Sequence, residues 1–124
     1  MSAALTVLVV DDVADQRELL RTHLEQAGCV VRTCADLDAV DRVLAGERVD
    51  AAVLDLLMPD ADGWDVAARI RERSPATIVV FASVLDAADH PADAPSLPKP
   101  YTGRQVRELV ARLRRLRAEQ GGVA

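Results

Sequence analysis

Val7-Leu8-Val9-Val10-Asp11-Asp12 is a short apolar run closed by two acids, and Ala51-Ala52-Val53-Leu54-Asp55 repeats the arrangement later in the chain. Further on, Ile78-Val79-Val80-Phe81-Ala82 is followed by Ser83, and Lys99 leads into Pro100. Runs of this length that are apolar throughout read as strands buried on both faces, as in a parallel sheet. In open α/β sheets the working crevice lies beyond the carboxyl ends of the strands, where the strand order switches. If the runs are parallel, three carboxylates and one ammonium converge on one rim. Carboxylates so placed repel one another unless a cation sits among them, and the cation that suits oxygen ligands is hard, such as Mg2+. An acid after a strand is also a common helix cap, accepting hydrogen bonds from the first helical amides. Capping accounts for the Asp11-Asp12 pair alone, but not for Asp55 and Lys99 at matching strand ends.

Between the runs the apolar period lengthens to that of helices. Leu20, Leu24 and Ala27 recur at helical spacing over 14–27, and Gly28 is the stop. Residues 29–34 read as a second strand, interrupted by Arg32 and Thr33. Asp36 is placed to cap a short helix carrying Leu37, Val40 and Leu44, with Gly46 at its end. Residues 59–63 read as a loop, and 64–73 as a helix that packs Val66, Ala67 and Ile70 before Ser74-Pro75 breaks it. From Ser83 to Lys99 the pattern falters among Asp86, Asp89, Asp93 and prolines at 91, 95 and 98. At most one helical turn is expected near 85–89, then irregular chain. Ser96 and Leu97 read as a short fifth strand, and the adjoining proline requires it to lie at a sheet edge. A last helix over about 102–119 carries Val106, Leu109, Val110, Leu113 and Leu116 on one face, followed by a frayed tail from about 120. Strands alternating with helical crossovers give an α/β doubly wound parallel sheet of five strands. The order 2-1-3-4-5 sets strands one and three side by side, so that the Asp pair and Asp55 meet at the switch point.

At 124 residues the chain is expected to form one domain, 1–124, and half of its residues are hydrophobic. Trp64, Phe81 and Tyr101 are its only aromatics besides the histidines, too few for a base-stacking surface. The net charge of −5 argues against general affinity for DNA or RNA. Cys29 and Cys34, five positions apart on one strand, face opposite sides and read as buried free thiols of a reducing compartment. No signal peptide and no run long enough to span a bilayer is seen, so a cytoplasmic protein without a membrane partner is expected. His23 and His90 have no second ligand at metal spacing and read as structural or solvated. Trp64 reads as packing, and the arginines of the last helix as a solvated face.

These residues resemble a known family over essentially the whole chain. Val9-Val10-Asp11-Asp12, the stretch from Asp55-Leu56-Leu57-Met58-Pro59 to Asp62-Gly63, Ser83 after the fourth strand, and Lys99-Pro100-Tyr101 are together similar to the receiver domain of bacterial two-component response regulators. The resemblance implies a flavodoxin-like receiver fold in which Asp55 accepts a phosphoryl group. By the same resemblance Asp11, Asp12 and Asp55 hold Mg2+, for which Mn2+ substitutes, and the Leu57 carbonyl is a further ligand. Ser83 would bond the phosphoryl group and Lys99 pair with it. A histidine kinase or phosphotransfer protein is implied as donor and a downstream protein as target, with a homodimer left open. Two departures stand out. The aromatic that the family carries two or three residues before the lysine is replaced by Ser96 or Leu97, and the helix-four region is shortened and rich in Asp and Pro. Leu57 and Leu85 stand, by resemblance, at the variable positions that usually orient a hydrolytic water. Neither can hold water by a side-chain hydrogen bond, so a long-lived phosphorylated form is expected.

The chemistry supports these roles separately. A carboxylate attacking phosphorus meets negative charge on the equatorial oxygens, so catalysis reduces to positioning and charge neutralisation. A phosphoaccepting signalling module, assisting its own phosphorylation but not a turnover enzyme, is therefore the expected function. An adaptor using the same fold without phosphorylation is the alternative. A metal-dependent phosphatase is disfavoured, because many such enzymes place a second acid where Leu57 stands.

Overall fold

The computed structural model describes residues 4–55, 57–58, 61–83 and 95–121. Its main sheet is built from β1 (Thr6–Val10), β2 (Val30–Cys34), β3 (Ala51–Asp55), β6 (Ile78–Ser83) and β7 (Ser96–Pro98), all paired in parallel. The order is β2-β1-β3-β6-β7, which is the predicted 2-1-3-4-5 once the main strands are counted by themselves. β1 and β3 run side by side, with Val10 opposite Leu54, so that Asp11 and Asp55 both emerge at the same edge. β7 lies at the sheet border as its proline requires.

The helices follow from the alternation of side chains along the strands. Val7, Val9, Ala51, Val53, Val80 and Leu97 point to one face and pack with Leu20 and Leu24 of α1 (Ala14–Gln26) and with Val106, Val110 and Leu113 of α4 (Gly103–Gly121). Leu8, Val10, Ala52, Leu54, Val79 and Phe81 point the other way. They meet Val40 of α2 (Leu37–Gly46) and Val66, Ala67 and Ile70 of α3 (Gly63–Arg73). Each aliphatic or aromatic side chain withdrawn from water in this way contributes about 1.5–3 kcal/mol. Cys29, which stands just before β2 rather than on it, belongs to the first core and Cys34 to the second, and both are free and buried as expected.

Helix ends are set by local chemistry. Gly28, at φ +92°, closes α1: its N–H donates to the Glu25 carbonyl, and the Cys29 N–H donates to that of Leu24. This pair of bonds is the Schellman arrangement, and a side chain at 28 would be strained in it. The Asp36 carboxylate accepts from the Ala39 N–H at 2.9 Å and starts α2. Thr102 and Gln105 cap α4 reciprocally: the Gln105 N–H donates to Thr102 Oγ1 and the Thr102 N–H to Gln105 Oε1.

Some expectations are corrected. Within the stretch expected as a loop, Ala61–Asp62 is β5, which forms a two-residue antiparallel ladder with β4 (Leu57–Met58); residues 59 and 60 lie outside the described residues. α3 follows β5 directly and begins at Gly63 rather than Trp64. So short a ladder has no period for a sequence pattern to register. α4 runs on to Gly121, past the expected end. The region expected to hold a shortened helix four, including Leu85 and His90, and the end of the tail lie outside the described residues.

Candidate functional site

The carboxyl rim of the sheet carries the chemistry. Asp11 follows β1 directly, Asp12 comes next, and Asp55 is the last residue of β3. One carboxylate oxygen from each of the three lies within 4.8 Å of the other two. Asp11 is buried, and Asp12 and Asp55 are partly so. Lys99, just beyond β7, brings its ammonium to 3.2 Å from Asp11 Oδ2 and 3.3 Å from Asp55 Oδ2, with only 13% of its side chain exposed. The Lys99–Pro100 peptide bond is cis. Among the described residues, then, three carboxylates face one ammonium. A hard divalent cation suits such a donor set: its oxygens are anionic and close enough to share one ion, and the lysine leaves their charge under-compensated.

Asp11 also has a local task. Its Oδ1 accepts from the Val13 N–H at 2.9 Å. Val13 is the N-cap of α1 and supplies no side-chain cap of its own. Capping and cluster membership are therefore not rivals at Asp11: one oxygen serves the turn and the other faces Lys99. The Arg17 guanidinium donates to the Asp11 carbonyl at 2.7 Å and ties the first turn of α1 to the rim.

The structure brings Asp11, Asp12, Asp55 and Lys99 together. Ser83 ends β6, one residue beyond Ala82, which pairs with Asp55. Leu57 begins β4, two residues after Asp55. Tyr101 is half-buried near the same rim, and its hydroxyl pKa is pushed up to about 12, first by burial and then by the Asp11 carboxylate. His23 meets the Tyr101 ring edge-on at 6.2 Å, which fits its structural reading. Trp64 packs on Phe81 with ring centroids 4.8 Å apart while staying 41% exposed.

Two participants escaped the sequence reading. Gln16 Oε1 accepts from the Lys99 ammonium at 2.7 Å, and Arg17 holds the Asp11 carbonyl. Both stand in the first turn of the helix that follows the acid pair, where side chains can reach back over the strand ends. That placement was the available signal.

The chain matches the response regulator receiver domain over residues 7–98. It is 32% identical over 116 residues to the transcriptional regulatory protein GltR of Pseudomonas aeruginosa, covering 90% of this chain and 48% of that one. It is 36% identical over 83 residues to a probable transcriptional regulator, ycf27, of Guillardia theta, covering 67% of this chain and 33% of that one. The chain thus spans between a third and a half of these curated relatives. Among solved structures, a response regulator receiver protein from Sinorhizobium medicae is 29% identical with a TM-score of 0.78, covering 92% of this chain and 97% of the other. TrrA of Thermotoga maritima, solved in complex with Mg2+ and a beryllofluoride, is 25% identical with a TM-score of 0.75, covering 88% and 98%. From its sequence match and its fold, this chain belongs to the response regulator receiver domain family.

Proposed function

We propose that residues 1–124 form one receiver domain that accepts a phosphoryl group on Asp55 in a Mg2+-dependent reaction and then presents an altered protein-binding surface. The observation that carries this reading is the convergence of Asp11, Asp12 and Asp55 with Lys99 across the β1–β3 switch point. The donor is a phosphohistidine of a histidine kinase or of a phosphotransfer protein. A carboxylate oxygen of Asp55 attacks phosphorus, forming the O–P bond as the N–P bond breaks, and the imidazole leaves with the bonding pair and takes up a proton.

Asp11, Asp12, Asp55 and the Leu57 carbonyl would hold the metal. When bound, Mg2+ supplies positive charge against the phosphoryl oxygens. Asp55 gives up its anionic charge at the attacking oxygen as the acyl phosphate forms, so its claim on Lys99 weakens. The ammonium then turns a donor to the phosphoryl oxygens and neutralises the opposite side. Ser83, beyond the strand pair that carries Asp55, gives its hydroxyl to the phosphoryl group once this has arrived, which links the chemistry to loop movement. The TrrA complex with Mg2+ and a beryllofluoride supports the reading by analogy.

Incubation with Mg2+ and acetyl phosphate tests it by intact-mass spectrometry. A gain of one phosphoryl group in the natural chain, lost in Asp55→Ala, is the expected result. No gain would leave the adaptor reading, and rapid multiple turnover of the donor the phosphatase one.

A further inference from the structure

Gln16 is tied to the site through Lys99. An ammonium has three hydrogens, and among the described residues Lys99 has three acceptors: Asp11 Oδ2 at 3.2 Å, Asp55 Oδ2 at 3.3 Å and Gln16 Oε1 at 2.7 Å. The neutral carboxamide makes the shortest of the three bonds, although it stands exposed on the first turns of α1. The partners differ in what becomes of them. Asp55 is the proposed nucleophile, and Asp11 belongs to the acidic cluster. Both carboxylates change partners in the proposed reaction, whereas Gln16 neither reacts nor belongs to the cluster.

We propose that Gln16 is a positioning residue for Lys99: its carboxamide oxygen anchors one ammonium hydrogen while the carboxylates exchange theirs. The inference rests on the phosphoacceptor reading of Asp55. With one hydrogen held toward α1, the other two stay fanned over the Asp11–Asp55 side, where the phosphoryl oxygens arrive. Without the anchor the ammonium swings on four methylene groups, and each transfer must first find the productive rotamer. The loss falls on the chemical step rather than on donor binding, because the hydrogen bond of Gln16 is to the Lys99 ammonium, which meets the phosphoryl oxygens.

Two variants and two readouts test this. Gln16→Met keeps length and removes the acceptor, and Gln16→Glu keeps an acceptor oxygen at the same reach. In phosphorylation by acetyl phosphate with Mg2+, Gln16→Met should lower the saturating rate ~5-fold with the half-saturating donor concentration nearly unchanged, the size expected for one exposed charge-assisted bond. Gln16→Glu should restore the rate. Independently of activity, the Lys99 ammonium should give a slowly exchanging 15N–1H signal in the natural protein that broadens in Gln16→Met and returns in Gln16→Glu. Equal rates and equal ammonium signals in all three proteins would overturn the proposal. If the natural chain takes no phosphoryl group, the phosphoacceptor reading has failed, and the ammonium signals alone decide whether Gln16 anchors Lys99.

Discussion

The two ends of the parallel sheet use the same ingredients in opposite proportion. At the amino end, the Asp50 carboxylate accepts the Thr6 N–H at 2.8 Å through Oδ2 and pairs with Arg117 Nε at 2.9 Å through Oδ1. Both side chains are largely buried, and one charge answers one charge. Nearby, Thr77 donates to the Val49 carbonyl at 2.7 Å and shares a hydrogen bond with Ser74. At the carboxyl end, among the described residues, three carboxylates cluster and one ammonium pairs with two of them, Asp11 and Asp55. The amino end is complete as folded, and its polar groups tie β1, β3 and α4 together. The carboxyl end stores like-charge repulsion that a cation can relieve, the usual mark of a site shaped for binding rather than for stability.

The sharpest way to break this contrast is to remove the cation from each end in turn. Lys99→Met should slow phosphorylation of Asp55 by ~100-fold, about 2.7 kcal/mol of barrier, because the phosphoryl oxygens lose their fixed positive partner. Arg117→Met should leave that rate within two-fold, roughly, since it touches no reacting group. Rates from acetyl phosphate and Mg2+ would check both, and a comparable loss in Arg117→Met would remove the distinction between the ends.

Stability should respond in the opposite sense. Arg117→Met leaves the Asp50 carboxylate largely buried without its guanidinium and should cost about 2 kcal/mol in urea unfolding, with or without Mg2+. Asp12→Asn relieves repulsion at the other end. It should raise stability by ~1 kcal/mol in the absence of divalent cations and shrink the gain in melting temperature that Mg2+ confers on the natural chain. A loss of stability in Asp12→Asn without metal would mean that the carboxylates are not in conflict.

The smallest effect is a titration. Tyr101 is the single tyrosine of the chain, and its hydroxyl stays protonated up to about pH 12 through burial and the nearby Asp11 charge. The folded value lies above the ordinary value of 10.0, so the stabilisation is whole below pH 10 and is lost as pH rises from there toward 12. Absorbance titration of tyrosinate should show that Asp11→Asn lowers the value while leaving most of the elevation, because burial is the larger cause. A full return to the ordinary value would make the acidic cluster, not burial, the dominant influence.

Much of the fold and of the site was legible in one dimension because the physics behind it is local or periodic. Strands buried on both faces must be apolar throughout, so β1, β3 and β6 announce themselves, and crossover helices between parallel strands leave few topologies. Gly28 and Asp36 end and start helices by bonds within a few residues. Asp11, Asp12 and Asp55 were found as a set because they sit at the carboxyl side of such strands, and Lys99 because it follows the short edge strand β7, where strand order alone brings them together. The sequence by itself thus determined the sheet, its order and the charged residues of the rim. Only the tertiary structure decided how those charges are shared. Whether Asp11 caps or clusters depends on which of its oxygens meets Val13 and which meets Lys99. The reach of Gln16 to Lys99, across 83 residues of chain, and of Arg117 to Asp50 depends on helix docking angles that no period encodes. Side-chain partners separated that far in sequence are selected by packing in three dimensions, and the packing exists only once the helices have closed on the sheet.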